Sequence, residues 1–273
     1  MINITVLEVI SLLSLCCGCL IPFRHDNHPD RLFWLISVFV LTSTGLLVFY
    51  RQNLYWHSDF STALWLTICS SVLLFIIIIN IQNTAWRLST LLFPYLFLLG
   101  ILAYFSDKII LSSFPRGEIS VWIYYHAITS ILTYALLTLA TLAALSSTIQ
   151  ERNIRSKQLN ILSQRLPSVT SSDNLFIRLL ILCAFILFFA LISGMATQYM
   201  QNGKFLNIDH KTILILLAFI IIIIIIFLHM RGGIRGRLAT WIVLFVYLFM
   251  SLGYLGVKFV RNILLTHLDN LII

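Results

Sequence analysis

The sequence predicts an all-α fold: a polytopic integral membrane helix bundle of about eight transmembrane helices, forming one domain over residues 1–273. Three observations carry this. Of the 273 residues, 60% are hydrophobic and only 10% charged. Mean hydropathy is +0.98, which leaves little room for a soluble domain. The stretch from Asp209 to Arg237 holds an almost unbroken apolar run, Ile213 to Phe227. Read as a helix rising about 1.5 Å per residue, that run with its flanks crosses a hydrocarbon core about 30 Å thick.

Seven other apolar runs accompany it. The first, residues 4–23, contains Glu8 and no Lys or Arg before Arg24. It lacks the positive start of a cleaved signal and is expected to remain as a span. Its Cys16, Cys17 and Cys19 are either small packing residues or a soft-metal site, and packing is the expectation. Spans follow at residues 32–50, 61–81 and 88–105, the last two sharing the turn Gln82-Asn83-Thr84. Pro94 falls inside the fourth and is expected to kink it. The fifth, residues 120–146, opens on Trp122, Tyr124, Tyr125 and His126. Ser130 and Thr133 or Tyr134 come at i+4 and i+7 or i+8 from the histidine, one polar stripe that should face the bundle interior. The sixth, seventh and eighth spans are residues 175–199, 212–230 and 238–260. His229 closes the seventh, with Arg231, Arg235 and Arg237 directly after it.

The net charge of +8 is read as cationic loops placed by topology and by the lipid bilayer; no nucleic-acid partner is expected. Arg24, Arg31, Arg87, Arg152, Arg155, Lys157, Arg165, Arg178, Arg231, Arg235 and Arg237 fall on one side of the predicted spans. Seven basic residues, among them Arg51, Lys211, Lys258 and Arg261, fall on the other. The richer side is expected in the cytoplasm, which places both termini outside. His126 is then in the outer half of its span, His267 follows the last span outside, and His229 lies at the inner boundary. His25, His28, His57 and His210 read as ordinary turn or loop residues, with His210 pairing Asp209 at a helix start. Neutral imidazole is a good metal ligand. For His229 a hydrogen bond to a helix carbonyl stays open beside ligation. For His267 a solvated histidine stays open likewise. Arg116, Arg51 and Arg261 are candidate outer partners for carboxylates.

Several blocks in fixed order resemble the cytochrome c assembly family, haem-handling membrane proteins of the CcsA, CcmC and HemX-like kinds. They are HAITSILTYALLTLATLAAL from His126 to Leu145, DNLFIRLL from Asp173 to Leu180, and FALISGMA from Phe189 to Ala196. Leu228-His229, Arg235-Gly236-Arg237 and YLGV from Tyr254 to Val257 complete the set. The resemblance covers residues 119–269; the first four spans match only in hydropathy and length. It implies haem b held by histidines on the outer face, with another histidine inside a bacterial-type inner (plasma) membrane. His126 corresponds to the first outer ligand, His267 falls near the second, and His229 corresponds to the intramembrane histidine. The tryptophan-rich loop of true cytochrome c synthases should occupy residues 198–211, which read QYMQNGKFLNIDHK with no tryptophan. The closest pattern is the short HemX-like branch that lacks the loop.

The resemblance implies a part in cytochrome c biogenesis or haem handling, with other assembly proteins as possible partners. Two other readings stay open from the residues. One is a transporter for a metal ion or small solute, for which Glu8 is the only clear carboxylate inside a span. The other is a non-catalytic regulator of haem synthesis that meets a cytoplasmic partner through residues 150–172. No nucleophile–base pair, phosphate loop or carboxylate dyad is legible, so no enzyme is expected.

Overall fold

The computed structural model describes residues 4–21, 29–54, 59–107, 121–157, 165–203, 209–232 and 236–256. Eight α-helices run through them. They are α1 Ile4–Leu20, α2 Arg31–Leu54, α3 Phe60–Ile81, α4 Ser89–Asp107, α5 Val121–Ser156, α6 Val169–Asn202, α7 His210–Met230 and α8 Arg237–Ser251. A 3-10 turn, Asn83–Leu88, joins α3 to α4, and a π turn, Leu252–Gly256, follows α8. No strand occurs among the described residues. Among the described residues seven stretches are long and apolar enough to cross a membrane: α2, α3, α4 with the 3-10 turn before it, α5, α6, α7, and α8 with the π turn after it. The apolar α1 has 17 residues, at the lower limit for a span. The chain is a multi-pass membrane protein.

Helices α1 to α4 pack among themselves, α5 to α8 likewise, and α3 against α5 joins the two groups. At the centre, α5 is buried without a break from Thr133 to Ala144. Its Ala135, Ala140, Ala143 and Ala144, with Ala184 and Ala190 of α6, are small buried residues that let two backbones approach. α7 is the opposite case. Only Ala218, Ile222 and Ile225 are buried, spaced i, i+4 and i+7, so the isoleucine run is mostly an outward, lipid-facing sheath.

One end of the bundle gathers the start of α2, the 3-10 turn, the last turns of α5 and α7 and the first turns of α6 and α8. It carries Arg31, Arg87, Arg152, Arg155, Arg231 and Arg237 and is called the arginine-rich end below. Thr84 meets Ser171 there at 2.8 Å, and Thr148 meets Thr240 at 2.7 Å. Gly236 sits at φ 64°, and a Cβ at this position would come within 2.6 Å of Glu151 Oε2. Only glycine satisfies both constraints.

Several sequence expectations need correction. α5 runs 36 residues to Ser156, well past the expected end at residue 146, and α6 starts at Val169 rather than residue 175. Much of the expected loop at 150–172 is therefore helix; residues 158–164 lie outside the described residues. The apolar stretch ends near Ser146, but Gln150, Glu151, Arg152 and Arg155 are good helix formers. Glu151 pairs with Arg155 at 2.6 Å one turn on. Pro94 does lie inside α4, as expected. Cys16 and Cys17 are exposed rather than packed. Glu8, 2% exposed, pairs with Arg51, 7% exposed, whose Nη1 also donates to Thr62 at 3.2 Å. Arg51 is thus committed to a buried ion pair and is unsuited to an outer anion; Arg116 and Arg261 lie outside the described residues.

Candidate functional site

His126 stands on the second turn of α5, at the end of the bundle opposite the arginines. Its Nδ1 lies 3.1 Å from the carbonyl oxygen of Ala190 and 3.4 Å from Ser193 Oγ, both on α6. A carbonyl only accepts, so Nδ1 carries the proton and donates it. In the neutral form of the imidazole the lone pair is then at Nε2. An orienting Nδ1–H bond of this kind is how proteins fix a histidine that ligates a metal through its other nitrogen. Gly194 makes the approach possible, because a Cβ there would lie 3.0 Å from His126 Cε1. Around this end Trp122, Tyr125 and Tyr199 are exposed.

The expected single polar stripe on α5 divides in two. Thr129 bonds toward α6, reaching Ser193 at 3.5 Å, and Thr133 offers its carbonyl to Cys183 at 3.6 Å. Tyr134 turns instead to α8, where its hydroxyl donates to Tyr247 at 2.9 Å and meets Ser251 at 2.9 Å. Tyr247 also bonds Tyr95 of α4 and accepts from Thr138 at 3.4 Å. The rings of Tyr134 and Tyr247 stack at 5.4 Å, and Tyr254 lies 5.6 Å from Tyr134. This tyrosine cluster, built around the buried Tyr134, was not anticipated. Tyr247, Ser251 and Tyr254, at i, i+4 and i+7, are the signal that could have revealed it.

Lys211, in the first turn of α7, is an exposed cation. Asp209 caps α7 without a side-chain bond, so the expected Asp209–His210 pairing is not how that helix starts. Only residues 203–209 separate α6 from α7.

His229 is at the arginine-rich end of α7. Its Nδ1 is buried with no hydrogen-bond partner, so the carbonyl bond considered for it is not made at that atom. Its ring meets Phe176 of α6 edge-on at 6.2 Å. α6 therefore measures the gap between the two histidines. Phe176 marks His229 and Ala190 marks His126, about 21 Å apart at 1.5 Å per residue. The structure does not bring His126 and His229 together. His267, like His25, His28 and His57, lies outside the described residues, and no group of three or more His, Cys, Asp or Glu occurs among the described ones.

These features define a polytopic helical membrane protein with an oriented imidazole at one end of its bundle. The chain belongs to the cytochrome c assembly protein family, which it matches over residues 56–265. That match takes in α3 and α4, beyond the part that the sequence blocks covered. A relative from Azospirillum brasilense, an uncharacterized 28.8 kDa protein in the nifR3-like 5' region, is 41% identical over 210 residues, 77% of this chain and 78% of its own length. No solved structure matches.

Proposed function

We propose that this protein binds haem b at the His126 end and serves haem handling in cytochrome c biogenesis as a non-catalytic member of its family. The observation that carries this reading is the hydrogen bond from His126 Nδ1–H to the Ala190 carbonyl, which would leave Nε2 to hold the haem iron. His267 is the second outer ligand in this reading. Bound haem supplies an iron that takes axial nitrogen ligands and can change oxidation state. The chain's own residues do the rest. Ala190 and Ser193 hold the imidazole, Trp122 and Tyr125 offer aromatic surface to a flat ring, and Lys211 supplies a cation for its carboxylates. His229, with its orphaned Nδ1, belongs to a separate intramembrane site.

The short α6–α7 connection supports placement with the HemX-like branch, since a long haem-presenting loop has no room there. The protein resides in a bacterial-type inner membrane with the arginine-rich end in the cytoplasm and both termini outside. Its partners are other cytochrome c assembly proteins, and a cytoplasmic partner meets the helix ends around residues 150–172. A reduced-minus-oxidised absorption spectrum of the purified protein tests the proposal. We expect a b-type spectrum that His126→Ala depletes, with His267→Ala acting in the same direction. A protein that stays colourless and fails to titrate with haemin, or an unchanged spectrum in His126→Ala, would overturn it.

A further inference from the structure

We propose that a cavity at the arginine-rich end binds a phosphate group, carried by an anionic phospholipid or free in solution. The cavity, of about 630 Å³, forms where the approach to α2, the 3-10 turn and the start of α6 converge. Such a volume is within the ordinary range of ligand pockets, roughly 300–1,000 Å³. The 3-10 turn contributes Asn83, Thr84, Trp86 and Arg87, and α6 contributes Ser168 and Ser171. None of the described lining residues is acidic.

Arg87 is the cation of this cavity. It is half-buried, and its guanidinium lies 5.6 Å from the centre of the Trp86 ring. Trp86 is itself held edge-on against Phe33 at 6.1 Å. Among the described residues no carboxylate pairs with Arg87. A partly desolvated, oriented guanidinium without a counter-charge favours an anion, and its planar fork matches two oxygens of a phosphate.

The hydroxyl groups point to the same ligand. Ser168 Oγ accepts from the Ser171 backbone N–H at 3.3 Å, so its own proton remains to be donated. Thr84 and Ser171 share one hydroxyl proton between them at 2.8 Å. Gln82 Nε2 donates to both, at 3.2 Å to Thr84 and 3.4 Å to Ser171. With one oxygen of the pair already accepting, the second hydroxyl proton is left to point outward. The first backbone N–H groups of α6 add positive potential at the cavity. Tryptophan sits at headgroup depth in membrane proteins, and lipid phosphates lie at that depth. The site is independent of His126, which occupies the other end of the bundle.

The test uses the full-length protein, purified and delipidated in detergent. Phosphatidylglycerol binding is read by native mass spectrometry, and inorganic phosphate binding by equilibrium dialysis. Arg87→Gln should weaken binding about tenfold, the loss expected for one charge-assisted hydrogen bond. Asn83→Asp, a change at an exposed position that adds a negative charge to the cavity, should weaken it in the same direction should Arg87→Gln fail to fold. Arg87-dependent binding of phosphatidylglycerol alone identifies a lipid headgroup, and Arg87-dependent binding of inorganic phosphate identifies a soluble source. Wild-type protein that binds neither, or binding left unchanged by the substitutions, would overturn the proposal.

Discussion

Gly194 decides how closely α5 and α6 approach at the His126 end. A Cβ there already lies 3.0 Å from the imidazole, so Gly194→Val should push the ring away from Ala190. If haem is held as proposed, its affinity should fall about tenfold, as for the loss of an orienting partner, while His126 itself is intact. Haemin titration of the purified variant measures this. Glu8 offers a contrasting case, since its carboxylate serves the fold. Removing one partner of a buried pair typically costs about 3–5 kcal/mol, so Glu8→Ala should lower the thermal stability of the detergent-solubilised protein markedly. Haem content per folded molecule should stay unchanged, because the pair lies on α1 and α2, which pack against α3 and α4 rather than against α5.

At the scale of elements, the tyrosine cluster ties α4, α5 and α8 through partly buried hydroxyls. Tyr247→Phe removes the group that bonds Tyr95, Tyr134 and Thr138. A loss of about 1–3 kcal/mol is expected from leaving buried partners unsatisfied, measured by thermal or denaturant unfolding. Tyr95→Phe, at the margin of the cluster, should cost less. These contacts show where sequence reasoning stops. Periodicity placed Ser130, Thr133 and Tyr134 on the inner side of α5, because that depends on spacing within one helix. Which neighbour each meets depends on rotation and register between helices distant in sequence, so the stripe's division between α6 and α8 was invisible. Helix lengths failed for a different reason. Hydropathy follows the apolar core, whereas α5 continues through Gln150 and Glu151, which are polar yet helix-favouring.

For the whole molecule, reporter fusions after Arg31, Asp59, Ser156 and Asn270 should give cytoplasmic signals at Arg31 and Ser156 and outer signals at Asp59 and Asn270. A cytoplasmic signal at Asn270 would reverse the placing of His267 outside. The helical membrane architecture was legible because composition and run length alone demand it. His126 and His229 were legible as rare polar residues in apolar spans, but the Ala190 and Ser193 partners of His126 were not, since they arise from how α6 packs on α5. The length of α6 between Phe176 and Ala190 has a thermodynamic consequence. Residues this far apart with no shared partner contribute additively to a measured property, within about 0.3–0.5 kcal/mol. A double-mutant cycle of His126→Ala and His229→Ala should therefore close with almost no coupling in stability. Any sizeable coupling in ligand affinity would have to be carried through the helix that keeps the two rings apart.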